Sequence, residues 1–303
     1  MAPELERNPD PKDCFPWDLV KKGAPLGFFT MRIPKEYGGL GIKEIDYAII
    51  LEELGWGDAG YGTIVGAHWL APDTIIELGT EEQKRRWLPK VVEGQKNPPY
   101  LTASAGTEHG VVGDLAPRTY KKAPLKRITV SEYLGNYTVP AAQRREVTTT
   151  ARLDGDEYVI NGTKRFISNG SVASLYTVRA TIDPSQPDLC NTRAFVLLAD
   201  TPGVSFGTIE DKMGHRLSIQ SEVFFDNVLV PKEDMLPPGP VFGGSGTAGE
   251  MGLMVGIARA AYEAALEYAT VRYKNGNRII FHQAVGMMLA DMDIMIQTAR
   301  LLL

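Results

Sequence analysis

Phe166 and Ser168 stand two residues apart in Thr163-Lys-Arg-Phe-Ile-Ser168, a run that alternates polar and apolar residues. At strand spacing both side chains point to one face. An aromatic plate beside a hydroxyl on a rigid strand suits a flat heteroaromatic ligand, although the pair alone is also ordinary sheet surface. The preceding Glu157-Tyr-Val-Ile160 is β-branched and aromatic. Asn161-Gly162 between the runs predicts a type I′ hairpin turn, and a second Asn-Gly pair at 169–170 closes the unit.

The chain of 303 residues is long enough for two or three domains and a large core. Hydrophobic content of 44%, charged content of 23% and a net charge of −5 read as a soluble globular protein whose main partner is neither nucleic acid nor a membrane surface. Its two cysteines, Cys14 and Cys190, form no disulfide framework and suit a reducing compartment: cytoplasmic, or the mitochondrial matrix in a eukaryote. No apolar run has the length of a membrane span, and the first residues lack a signal-peptide layout. His68, His109, His215 and His282 lack metal-ligand spacing and read as structural or surface residues, so no metal site is expected.

Three blocks follow from the pattern, an α+β arrangement. Residues 1–99 read as a helical domain. Met1 to Pro25 is an arm or partial helix, and Ile45 to Trp56 and Tyr61 to Leu78 have apolar residues at helical spacing. The second of these is apolar on nearly all sides except His68, so it is expected to be buried. Thr80-Glu-Glu-Gln83 is a capping box opening a helix that runs to about Leu88, before Pro89. Residues 100–231 change to short alternating runs, at Tyr176–Thr181, Ala194–Leu198, Glu222–Phe225 and Val228–Val230, as in an antiparallel sandwich or barrel. A basic, proline-punctuated stretch at about 120–145 reads as an insertion, either a solvated loop or a contact for an acidic partner or for a ligand's phosphates. Residues 232–303 form an incomplete helical bundle. A proline- and glycine-rich linker from Pro231 to Gly246 leads to helices over Glu250–Tyr273 and Phe281–Leu303, with a turn at Asn275-Gly276 between them. The apolar end at Leu301-Leu-Leu303 needs a cover, from further residues or another chain. Gly244-Ser-Gly-Thr-Ala-Gly249 matches a dinucleotide fingerprint formally, but no βαβ unit surrounds it and it reads as a helix entry.

Six stretches in order carry a family likeness: Ile33-Pro-Lys-Glu-Tyr-Gly-Gly-Leu-Gly41, Leu78-Gly-Thr-Glu-Glu-Gln-Lys84, Thr107-Glu-His-Gly-Val-Val-Gly-Asp114, Asn161 to Gly170, Lys212-Met-Gly-His-Arg216 and Leu289-Ala-Asp-Met292. With them the chain resembles the FAD-dependent acyl-CoA dehydrogenase family from about Phe28 onward. The resemblance implies helical domain, β domain and helical bundle in that order. It implies FAD contacts from Ser104, Gly106, Thr107, Gly113, Phe166 and Ser168, with Arg272 reaching the pyrophosphate held by a neighbouring subunit and Gln283 near the adenosine half. An arginine fork suits two phosphate oxygens, although at a helix end it also complements the dipole. Several positions depart from the family pattern. His109 replaces a proline, Val112-Gly113 replaces Gly-Ser and removes a hydroxyl, Phe166 stands for tryptophan, Ser168 for threonine and Asn275 for phenylalanine.

The implied chemistry is α,β-dehydrogenation of an acyl-CoA thioester. A carboxylate removes the α-proton while a hydride passes from the β-carbon to flavin, and electrons leave to an electron-transfer flavoprotein. The base must be desolvated and the enolate oxygen must receive hydrogen bonds. In most members the base lies beyond the position where this sequence stops; in a minority it falls where Gly246 stands, with Thr247 beside it at a common arginine position. Glu250, one helical turn further on, is the candidate in this chain, a glutamate that would otherwise complement a helix N-terminus. Assembly as a homo- or hetero-oligomer, a dimer of dimers, is expected. The alternatives are a non-catalytic subunit of a heteromeric assembly and a relative acting on a non-CoA substrate such as a nitroalkane.

Overall fold

A computed structural model describes residues 15–95, 99–108, 148–183, 191–239 and 245–303, the side chains of 245–247 excepted. Gly113, His109 and the stretch at about 120–145 lie outside the described residues. Helix α1 spans Trp17–Gly23, α2 Glu44–Gly57, α3 Ala59–Leu78 and α4 Glu81–Glu93. Asp58 accepts the Tyr61 amide at 2.8 Å to open α3. The capping box of α4 forms as read: Gln83 N–H donates to Thr80 Oγ1 at 3.2 Å and Thr80 N–H to Gln83 Oε1 at 2.9 Å. This helix does not stop before Pro89, as the sequence predicts, but carries it and ends at Glu93. Trp87, Leu88 and Val91 are buried on both sides of the proline, and their packing outweighs one lost backbone bond.

The middle strands are β1 Thr102–Ala105, β2 Thr150–Asp154, β3 Glu157–Ser168, β4 Leu175–Thr181, β5 Thr192–Leu198, β6 Val204–Ile209 and β7 Gln220–Pro231. They form a single seven-stranded sheet in the order β1-β4-β2-β3-β7-β6, with β5 also on β4. The expected sandwich or barrel is therefore one sheet, mixed because β1 and β2 both pair with β4 in parallel. No hairpin turn occurs at Asn161-Gly162. β3 runs straight through, and the two-residue turn lies at Gly155-Asp156, where Asp154 pairs with Glu157. Gly162 instead marks an irregularity against β7, and a Cβ there would meet Thr149 Oγ1 at 2.5 Å. Glycine at this point is what lets two backbones touch. Alternation along β5 splits two cores: Ala194 and Val196 join the helical block, while Phe195 and Leu197 join a second cluster with Tyr176, Val178 and Val223.

The segment after β7 is anchored to α4, since Trp87 Nε1 donates to Asp234 at 2.9 Å and Gln83 Nε2 to the Glu233 and Met235 carbonyls at 2.7 and 2.9 Å. Helix α5 spans Ser245–Val271 and α6 Gln283–Leu301. Between them Asn275 (φ 53°) and Gly276 (φ 80°) turn the short pair β8 Tyr273–Lys274 and β9 Asn277–Arg278. Two consecutive positive φ angles are the type I′ signature. Helix α5 lies so close to α2 that a Cβ on Gly252 or Gly256 would overlap the Ala48 or Glu52 carbonyl. Glu52, 7% exposed, binds Arg259 of α5 (2.8 Å) and Arg300 of α6 (2.5 and 3.1 Å), tying three helices together. Among the described residues no helix is long and apolar enough to cross a membrane.

Candidate functional site

The geometry around Phe166 begins with a break in the β3–β7 ladder. Lys164 pairs with Val223 and Ile167 with Ser221, so two residues of β3, Arg165 and Phe166, face one of β7. Phe166 takes up the extra residue at φ 58°, a left-handed backbone that is strained for a bulky side chain. The residue stays 45% exposed, with the Arg165 guanidinium 4.7 Å from the centroid of its ring. Glu210 accepts from Arg165 Nε at 2.7 Å. Ser168, half-buried, accepts from Gln220 Nε2 at 3.1 Å. A hydroxyl that accepts one bond still carries a proton to donate.

The exit of β1 is brought to this bulge. Arg165 N–H donates to the Thr107 carbonyl at 2.9 Å, joining the stretch that carries Ser104, Gly106 and Thr107 to the one that carries Phe166 and Ser168. Beneath the junction Lys164 Nζ meets Glu108 Oε1 at 2.5 Å, both side chains shut off from solvent. Glu108 also accepts from Thr148 N–H (2.6 Å), Thr148 Oγ1 (2.7 Å) and Thr149 N–H (3.1 Å). Burial pushes the Glu108 carboxyl up, but Lys164 and the two threonines more than reverse this and hold it at about 2. Burial brings the Lys164 ammonium down to about 8 against the pull of Glu108, so the pair is ionised at neutral pH.

Two further residues position the junction from below. Asn169, at φ 60° and fully buried, donates from Nδ2 to the Ile64 carbonyl of α3 at 3.0 Å. His68, buried on α3 as the sequence suggested, contacts the Phe29 carbonyl through Nε2 at 3.0 Å. Its Nδ1 accepts the Thr102 amide of β1 at 3.2 Å. An acceptor at one nitrogen fixes the proton on the other, so the ring is neutral and oriented. Burial, against the Phe29 hydrogen bond, brings it to about 3.

Other candidates stand apart from the junction. Arg272 and Gln283 are exposed where α5 gives way to α6, and Glu250 is exposed on the first part of α5. His215 hydrogen-bonds through Nδ1 to Thr63 Oγ1 at 2.7 Å, joining the 212–216 loop to α3. Glu108, Lys164 and Asn169 were not singled out from the sequence. Lys164 shares the strand parity of Phe166 and Ser168, so nothing short of the bulge reveals that it faces inward while Phe166 faces out.

A bulky aromatic kept exposed in the left-handed region, two residues before a half-buried hydroxyl, is the kind of surface that suits a flat ring with polar edges. Family models described as the N-terminal, middle and C-terminal domains of acyl-CoA dehydrogenase match residues 1–95, 141–228 and 248–303. The chain belongs to the acyl-CoA dehydrogenase family. It is 33% identical to the short-chain specific acyl-CoA dehydrogenase of Clostridium acetobutylicum, over 97% of this chain and 70% of that protein. Among solved structures it superimposes on butyryl-CoA dehydrogenase from Megasphaera elsdenii with a TM-score of 0.78 at 30% identity, covering 99% of this chain and 72% of that one. An acyl-CoA dehydrogenase from Bacillus anthracis solved with FAD gives a TM-score of 0.73 at 28% identity, over 96% of this chain and 45% of that one. The chain spans between 65% and 70% of the length of the first curated acyl-CoA dehydrogenases that it matches. Within the family the middle-domain match contains the Phe166 bulge, and the C-terminal match contains Arg272 and Gln283.

Proposed function

We propose that this chain is an FAD-dependent acyl-CoA dehydrogenase acting on α,β carbons of a short acyl-CoA thioester. The observation that carries this is the strained, exposed Phe166, two residues before Ser168 in the chain, fastened to the Thr107 segment by the Arg165 amide. Support for the substrate class comes from the short-chain and butyryl-CoA specificities in the names of the relatives.

In this reading Phe166 offers an aromatic face to the isoalloxazine and Ser168 donates to its polar edge. Ser104, Gly106 and Thr107 line the same junction, with Gly113 following them in the chain. Bound FAD supplies a two-electron acceptor. The chain's part is to hold that acceptor in one orientation and keep water from it. In the same reading Arg272 and Gln283 serve the cofactor of a second copy and the working form is an oligomer; their exposure where α5 gives way to α6 supports this. Electrons then leave to an electron-transfer flavoprotein. Glu250 is exposed, whereas removal of an α-proton calls for a desolvated carboxylate, so the reading does not rest on it.

The test is an anaerobic titration of the FAD-loaded protein with butyryl-CoA, followed in the visible spectrum. Bleaching of the flavin bands is expected. A protein that stays yellow contradicts the catalytic part of the proposal, and one that takes up no flavin contradicts all of it.

A further inference from the structure

Glu108 and Lys164 are both within two residues of a proposed flavin contact, yet neither can reach a ligand, because neither is exposed. Each is placed at the join between the two stretches. Glu108 follows Thr107, whose carbonyl accepts the Arg165 amide, and Lys164 precedes Arg165. The ion pair therefore closes a small ring of contacts: Thr107 to Glu108, Glu108 to Lys164, Lys164 to Arg165, and Arg165 back to Thr107.

The β3–β7 ladder cannot set the position of this ring alone. It slips by one residue between Lys164 and Ile167, which is where strand alternation ceases to define register. The bonds to α3, from Asn169 to the Ile64 carbonyl and from the Thr102 amide to His68, hold the strand ends on either side of the ring and make no contact with Glu108 or Lys164 themselves. Taking two charges out of water costs several kcal/mol, and an apolar pair of similar volume often stabilises a fold as well or better. Directionality is what the charged pair adds. Each carboxylate oxygen of Glu108 takes two donors: Lys164 and Thr149 N–H at Oε1, Thr148 N–H and Oγ1 at Oε2. With both oxygens saturated the carboxylate has one orientation, and Lys164 is held to it.

We propose that the buried Glu108–Lys164 pair is a positioning device for the flavin, pinning the Phe166 bulge to the Thr107 segment so that ring, hydroxyl and backbone keep one mutual geometry. This rests on the flavin-binding reading above. The pair does no chemistry itself; it acts through Thr107 and Phe166.

The test is a double replacement, Glu108→Leu with Lys164→Met, which removes both charges and leaves neither unpaired. Three quantities are read: the unfolding temperature of the flavin-free protein, the FAD dissociation constant, and the visible circular dichroism of bound flavin. The expected result is a folded protein, as thermostable as the parent or more so, that binds FAD about tenfold more weakly or worse and shows a changed visible circular dichroism. A purely structural pair would move the unfolding temperature and leave the affinity and spectrum of the folded fraction alone; that result overturns the proposal. Should the double variant not fold, Thr148→Val carries the test. It removes one exposed-side donor to Glu108 and leaves the charges paired, so severalfold weaker FAD binding supports the device and parental binding overturns it. If the parent binds no FAD, both readings fall. If the parent binds and the folded variants bind equally well, only the positioning role falls.

Discussion

The backbone amide of Arg165 donates to the carbonyl of Thr107 at 2.9 Å, so the end of β1 and the bulge of β3 are joined at one point. These two stretches are about sixty positions apart in the sequence, a loop whose closure entropy must be met by contacts made near the join. The chain meets it with the buried ion pair below and the Asn169 and His68 bonds to α3 and β1.

Phe166 is expected to trade stability for binding. Asparagine tolerates the left-handed backbone that strains phenylalanine, so Phe166→Asn should raise the unfolding free energy by about 1 kcal/mol, less whatever the Arg165–ring contact contributes. The same variant should lose most FAD affinity, and Phe166→Trp should keep it. Chemical denaturation of the flavin-free proteins and a flavin titration check the two halves separately.

His68 gives a pH dependence of known sign. The folded ring titrates near 3 and the unfolded one near 6.5, so between those values the unfolded chain binds one more proton. Stability from this group is fully present above 6.5 and is lost as pH falls toward 3, by about 1.4 kcal/mol per pH unit. Between pH 6.5 and 5 the parent should lose about 2 kcal/mol that His68→Gln does not lose. Equal slopes for the two proteins would remove the histidine from the account.

The contact between α2 and α5 should not tolerate a methyl group. Gly256→Ala places a Cβ on the Glu52 carbonyl, a backbone atom that cannot step aside, and should cost about 2 kcal/mol through overpacking. Gly57→Ala is the control. It meets nothing within 4 Å and should be neutral or mildly stabilising.

Glu52 holds Arg259 and Arg300 together, and the hydrogen bond from Arg300, against burial, keeps its carboxyl below the usual range. Glu52→Gln should cost about 1–2 kcal/mol, screened in part because both arginines are partly exposed. Limited proteolysis should then cut α6 before the sheet. The ionic contribution is present above the ordinary carboxylate range and fades as pH falls through the lowered value.

Much of this molecule is legible in its residues, and the failures are instructive. The capping box at Thr80, the buried α3 around His68 and the runs that became β4, β5 and β7 all follow from periodicity and local chemistry. Asn161-Gly162 misleads because a strong turn signal was outweighed by the strand ladder on both sides; Gly155-Asp156 turns instead. The same dipeptide at 275–276, flanked only by the two-residue strands β8 and β9 with no third strand to hold it extended, does turn. Parity along 164–168 misleads for a related reason. A single bulged residue puts Lys164 inside and Phe166 outside, and no local pattern announces a bulge. The Glu108–Lys164 contact spans 56 positions and is invisible to any window of sequence.

The most direct measurement is an equilibrium titration of the flavin-free protein with FAD, followed by flavin fluorescence, for the parent and for Phe166→Ala. Saturable, near-stoichiometric binding with a large fluorescence change is expected of the parent, and weak binding of a variant that folds normally. Absence of saturable binding in the parent, or parental affinity in Phe166→Ala, would contradict the proposed flavin site.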